Sequence, residues 1–97
     1  MVKLNVKKFF KKTQDEGEVF LVTLSRQELE RAGFDCSTFG SFKTADIYLQ
    51  WFGDDFQIKY VFDSDPRQTY TEKTSNVRRD VFGLIIDSYL ERLGMGE

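Results

Sequence analysis

The chain has 97 residues, 40% hydrophobic and 31% charged, with a formal net charge of −2, one cysteine, one proline and no histidine. A chain this long supports one core, because it buries only about two-thirds of its unfolded surface, and its apolar content excludes the disordered class, which needs fewer apolar groups or more net charge. Lack of histidine removes the commonest general base and metal ligand at neutral pH, and no apolar run approaches the roughly 20 residues that span a bilayer.

One cysteine cannot form an intramolecular disulfide, whereas small secreted domains are often stapled by several. The expectation is a single cytoplasmic α+β domain over residues 1–97, non-enzymatic, without cofactor or metal and without membrane contact.

Charge is uneven along the chain. Lys3, Lys7, Lys8, Lys11 and Lys12 meet no acidic residue before position 13, so residues 1–12 carry +5 in side chains and the remainder −7. Such an edge attracts phosphate or an acidic partner, or keeps an edge strand soluble and unpaired. Residues 2–10 and 18–24 read as strands of a first hairpin joined by the polar loop Lys11–Gly17. Pairing Leu4 with Leu24 and Val6 with Val22 places Lys8 beside Phe20 and gathers Phe9, Val19 and Leu21 on the other face. A strand apolar on both sides, as 18–24 is, sits in mid-sheet or turns its second face to a partner.

Ser25 with Glu28 three residues on has the spacing of a capping box, and Leu24 with Leu29 that of a hydrophobic staple. Gly33 is placed to end this helix after about two turns in the left-handed conformation, and 33–42 reads as a loop. Residues 45–62 pair Trp51 with Phe56, Leu49 with Ile58 and Ile47 with Tyr60 around the loop Phe52-Gly53-Asp54-Asp55, which predicts a hairpin. Phe42, Ala45, Leu49 and Phe52 also recur at helical spacing, with Thr44 as a cap. After Pro66, residues 67–73 alternate Thr and Tyr with charge, as an edge strand does, or form a loop.

Val81, Phe82, Ile85, Ile86, Tyr89, Leu90 and Leu93 then mark an amphipathic helix of about 18 residues, capped by Ser75 or Asn76 and stopped by Gly94. The order β-β-α-β-β-(β)-α predicts an antiparallel sheet of four to five strands with a short and a long helix on one face.

Catalytic and metal patterns are absent from this order. Cys36 has no histidine to activate it, so a structural thiol is expected. Asp63-Ser64-Asp65 runs into Pro66 and Arg67 where a calcium loop needs oxygen ligands and a glycine, which makes it a turn; Asp54 and Asp55 suit a hairpin tip. Arg78 and Arg79 are anomalous, since positive charge at a helix start opposes the dipole. They could hold a phosphate or carboxylate there, with Lys73, Arg67 and Lys59 extending the positive surface, or pair with Asp80 or Glu72.

Two resemblances are local. Segment 25–93 is similar to double-stranded-RNA-binding domains in element order, but its first helix is shorter and 74–79 (TSNVRR) replaces that family's lysine-rich, glycine-containing run. Residues 24–35 (LSRQELERAGFD) resemble a strand-to-helix stretch in the N-terminal domain of MecA-type Clp adaptors, a pattern that capping physics also generates. Neither assigns the chain to a family.

Ten phenylalanines are more than two helices and a sheet readily bury, and exposed aromatics are enriched at interface hot spots; the alternative is a phenylalanine-rich core closed by folded-over loops. The expected function is that of a small protein-binding or regulatory module, of adaptor or inhibitor type. Its docking surface is expected at Phe9, Val19 and Leu21 or at the aromatic loop with Phe34, Phe39 and Phe42. The partner is another protein or a second copy in a homodimer; a short chain without chemical motifs suits a viral or mobile-element source as well as a cellular one. The alternative is nucleic-acid binding through Lys3, Lys7, Lys11, Lys12, Arg78 and Arg79.

Overall fold

The computed structural model of the chain describes residues 10–65 and 67–94. In chain order its elements are a 3-10 turn at Lys11–Glu16, β1 (Glu18–Ser25), α1 (Arg26–Ala32), a 3-10 turn at Cys36–Phe39, β2 (Thr44–Phe52), β3 (Asp55–Phe62), β4 (Thr69–Lys73), a 3-10 turn at Thr74–Asn76 and α2 (Arg79–Arg92). The four strands form one antiparallel sheet in the order β1-β2-β3-β4, with the helices packed on one face.

The β2–β3 hairpin follows its side-chain pattern. Trp51 faces Phe56, Leu49 faces Ile58 and Ile47 faces Tyr60, and all six are buried. Tyr48 opposite Lys59 and Gln50 opposite Gln57 fill the other face. Phe52 and Asp55 are themselves paired, so the connection is only Gly53-Asp54. Gly53 takes φ +62° and Asp54, like every described non-glycine residue, does not have positive φ, the sign pattern of a type II′ turn, whose twist matches the strands it joins. Helical spacing in 42–52 is overruled by strict alternation of burial along β2.

α1 is bounded as its sequence specifies. The Ser25 hydroxyl accepts from the Glu28 N–H (3.1 Å) while Glu28 Oε1 accepts from the Ser25 N–H (3.0 Å), so two of the orphan donors at the helix start are satisfied. At the other end Gly33 adopts φ +97°, and the N–H groups of Gly33 and Phe34 donate to the carbonyls of Glu30 and Leu29. That is the paired bonding of a Schellman ending, and glycine adopts its left-handed residue without strain.

Other expectations change. Pairing of β1 with residues 2–9 lies outside the described residues; among the described residues β1 pairs with β2. The register breaks between Phe20 and Val22, so Leu21 is an extra residue in a bulge, and both Leu21 and Leu24 turn into the core. The division of this strand into a Val19/Leu21 face and a Leu24/Val22 face therefore fails. Segment 11–17 is a 3-10 turn through Glu16, not a loop, and Phe10 stands at its head rather than in a strand. Phe10 is buried against Phe56 and Tyr89, and Thr13 beneath it donates to Phe10 O (2.6 Å) and accepts from Trp51 Nε1 (2.9 Å).

α2 has 14 residues, about 21 Å, and begins later than Ser75 or Asn76 because those residues are wound into a separate 3-10 turn. Arg78 occupies the cap position with no side-chain hydrogen bond to the helix. Val81, Ile85, Ile86 and Tyr89 form its buried stripe, while Leu93 is 44% exposed.

Candidate functional site

The loop 33–42 is folded over the core by specific ties. Gly33 turns Phe34 inward, and Asp35 then accepts from the hydroxyls of Ser37 and Thr38, each at 2.7 Å. Those bonds hold the Asp35 carboxyl below its ordinary range, Thr38 contributing most. Arg26 Nη1 donates to the carbonyls of Gly40 (2.6 Å) and Phe42 (3.2 Å) with its guanidinium over the Phe42 ring, so one cation fixes the far end of the loop to α1. Cys36 is buried, its Sγ donating weakly to Arg26 O at 3.8 Å. Burial, followed by the Glu30 charge, pushes its thiol up, which makes it a poor nucleophile.

This loop lays aromatic rings on the β3–β4 edge. Phe39 stacks on Phe62 (4.7 Å between centroids) and Phe34 (5.5 Å) and leans on Tyr70 (4.8 Å), while Phe34 contacts Tyr60 at 4.9 Å. Between the loop, β4 and the start of α2 lies a cleft of about 270 Å³. Phe34, Phe39 and Tyr70 are its aromatic wall; Asp35, Thr38, Glu72 and Arg78 supply its polar lining. That volume is below the roughly 300–1,000 Å³ of drug-sized ligand sites and suits one or two side chains.

The polar groups of the cleft are unequally engaged. Glu72 Oε2 accepts from the Tyr60 hydroxyl at 3.2 Å. Burial and then the Glu72 charge raise the Tyr60 hydroxyl far above its usual value, and Tyr70 is raised by the same two causes. Asp35 is bonded within its own turn. The Arg78 side chain, by contrast, has no ion pair or hydrogen bond among the described residues. Its side chain lies across Gly33, where an added Cβ would meet Nε at 2.9 Å. The guanidinium thus sits at the C-terminal end of α1, whose carbonyls carry partial negative charge. This offsets the unfavourable position of Arg78 at the start of α2. Pairing of Arg78 or Arg79 with Asp80 or Glu72 does not occur.

The expected docking residues are mostly core. Leu21 is 0%, Phe42 1% and Phe34 9% exposed, because the bulge and the folded-over loop bury them; Val19 and Phe39 are half-buried, and Phe9 lies outside the described residues. Of the basic set, Lys3 and Lys7 lie outside the described residues. Lys11 and Lys12 are exposed on the turn after Phe10, which packs on Tyr89, ten residues and about 15 Å beyond Arg79 along α2. Arg78 and Arg79 are thereby set at the other end of that helix, so the described cations form two groups. Tyr70, Glu72 and Thr38 were not anticipated. Only the Tyr70/Glu72 alternation after Pro66 hinted at them.

The sheet face away from the helices is differently finished. Arg92 lies over Phe20 (5.0 Å), Phe20 meets Tyr48 edge-on (5.4 Å) and Lys59 lies over Tyr48 (5.6 Å). Glu18 accepts from Lys59 (3.1 Å) and Gln50 (2.7 Å), and Gln57 donates to Gln50 (3.1 Å). Its rings are covered by cations and its polar groups bond one another, which makes it a self-contained solvent surface. Phe52, at the hairpin tip, is 60% exposed.

Among the described residues no group of three or more metal-ligating side chains is assembled, and no helix is long and apolar enough to cross a membrane. In comparison with known proteins, the chain matches no family model, no curated protein and no solved structure.

Proposed function

We propose that the chain is a small non-catalytic binding module, of adaptor or inhibitor type, that holds a partner protein at the cleft between the 33–42 loop, β4 and the start of α2. The observation that carries this reading is the state of Arg78. Among the described residues its side chain has five donors and no protein acceptor, beside aromatic rings of which Phe39 and Tyr70 are only half-buried. Arginine and tyrosine beside a pocket are the residue types that dominate binding energy at interfaces. Both carboxylates of the cleft accept bonds from within the chain, so the group open to a partner's acceptor is the exposed cation.

The test is a tagged pull-down from source-cell lysate with the native chain, Arg78→Glu and Tyr70→Ser, each checked for native circular dichroism and repeated with nuclease. A protein retained by the native chain in both conditions and lost by at least about ten-fold with Arg78→Glu is the expected result, the reversal of charge being worth more than the 1.4 kcal/mol that ten-fold represents. Equal retention by all three chains sinks the cleft. Loss of every retained protein on nuclease treatment instead favours nucleic-acid binding through Arg78 and Arg79.

A further inference from the structure

The cleft opens beside the free edge of β4, and the ladder shows which backbone groups that edge presents. Trp51 donates its N–H to Gly17 O on the β1 side, and Asp63 donates to Thr44 O on the opposite side of β2. Backbone groups alternate in direction along an antiparallel strand, so odd residues of β2 face β1 and even ones face β3. Carried through the registers of β2–β3 and β3–β4, the alternation turns Tyr70 and Glu72 toward β3. Thr69, Thr71 and Lys73 then point their N–H and C=O groups outward, and no hydrogen bond from the described chain reaches these groups.

The two ends of the described sheet differ in what they offer. β1 carries the bulge at Leu21, a device that twists an edge away from further pairing. β4 is regular, contains no proline and is rich in threonine and tyrosine, all of which suit continued pairing. Tyr70 and Glu72 project from β4 into the cleft's lining, so a strand laid on this edge brings every second side chain beside Phe39, Tyr70 and Arg78. The charge there that lacks a partner among the described residues is positive, with Lys73 and Arg79 close by in the chain and likewise without ion pairs among those residues.

We propose that the partner is an extended peptide segment that adds as a further strand to the β4 edge, seating an apolar or aromatic side chain against Phe39 and Tyr70 and a carboxylate on Arg78. This rests on the reading of the cleft as the docking site and names its occupant: an apolar residue and an Asp or Glu two positions apart, since residues i and i+2 share one face of a strand. Backbone bonds supply affinity and the cleft supplies selection, the division of labour in strand addition generally.

The probe is a phage-displayed library of random linear dodecapeptides panned against the full chain, followed by fluorescence anisotropy of the enriched peptide. Enrichment of an apolar residue with Asp or Glu at i+2 is expected, with affinity reduced at least about ten-fold by Arg78→Glu. N-methylation of single peptide amides is expected to weaken binding by about ten-fold at one alternate set of positions and to leave the intervening set unaffected; these modifications leave the protein's own fold untouched. Thr71→Pro, which removes an outward N–H, should match the sensitive set. Tolerance of N-methylation at every position, with Arg78→Glu still weakening binding, overturns strand addition and leaves the cleft standing. Enriched peptides lacking a carboxylate overturn the assigned chemistry. Absence of enrichment, affinity unmoved by both Arg78→Glu and Phe39→Ala, or β4 occupied by a second copy in sedimentation of the native chain but not of Thr71→Pro, overturns the proposal.

Discussion

A methyl group on Gly33 meets two separate obstacles, and they can be measured separately. At φ +97° an L-residue is strained by about 1 kcal/mol or more, and the added Cβ falls 2.9 Å from Arg78 Nε and 3.4 Å from Cζ. Arg78 is long and exposed, so it moves aside, giving up its seat at the end of α1. Gly33→Ala is expected to destabilise the chain by about 1–2 kcal/mol, of which roughly 0.5 kcal/mol disappears when Arg78 is already alanine. Chemical denaturation of the four chains of that cycle reads the difference directly. Gly17→Ala, where φ is +76° but nothing lies within 4 Å, should show the backbone part alone. Additive effects of the Gly33 and Arg78 substitutions would mean that the two do not press on each other in solution. The sequence marked both residues, Gly33 as a stop and Arg78 as a misplaced charge. What joined them was invisible, because 45 positions separate them and no local pattern encodes such a contact.

Between β3 and β4 the tie is Tyr60, whose hydroxyl donates to Glu72 across the pair. Burial raises this hydroxyl well above the ordinary tyrosine range, so the folded chain holds the proton more tightly than the unfolded one. The sign follows: this contribution is fully present below about pH 10 and is lost as pH climbs above it, while the unfolded tyrosine ionises and the folded one resists. Above about pH 10 the thermal midpoint should fall more steeply for the native chain than for Tyr60→Phe, with Tyr70 keeping a smaller part of the slope. Parallel slopes would show that other groups set the alkaline limit.

Elements announced by short-range chemistry were the legible ones: the capping box of Ser25 and Glu28, the glycine ending at Gly33, and the hairpin whose three apolar pairs fix one register. Elements that depend on distant partners were not. The pairing of β1 with β2 joins segments about 25 residues apart, and the bulge in β1 changes register without changing composition. Ser75 and Asn76 are good cap residues, yet they serve a 3-10 turn before α2 begins.

For the molecule as a whole, the surplus of aromatic rings suggests either an exposed patch or a core closed by folded-over loops, and the second reading accounts for most of the described rings. Phe34, Phe39, Phe62, Tyr60 and Tyr70 stack as one body under the 33–42 loop, so the loop acts as a third layer that a helix-and-sheet count omits. What the sequence could show of the candidate site was its ingredients, Phe34, Phe39 and Arg78. Their convergence with Tyr70 and Glu72 depends on how β4 and the loop meet, which is a tertiary fact.

That layering gives the lone thiol a practical use. Cys36 is 3% exposed and belongs to the turn that also carries Thr38 and Phe39 into the cleft. An aromatic disulfide reagent can reach it only when this turn lifts, so the modification rate equals the rate for an open thiol multiplied by the small fraction of time the loop spends detached. With no second cysteine to confuse the signal, the chain carries its own stopwatch for loop opening. An occupant of the cleft should slow it in proportion to occupancy, whereas a partner bound on the opposite sheet face should leave it running at the same speed.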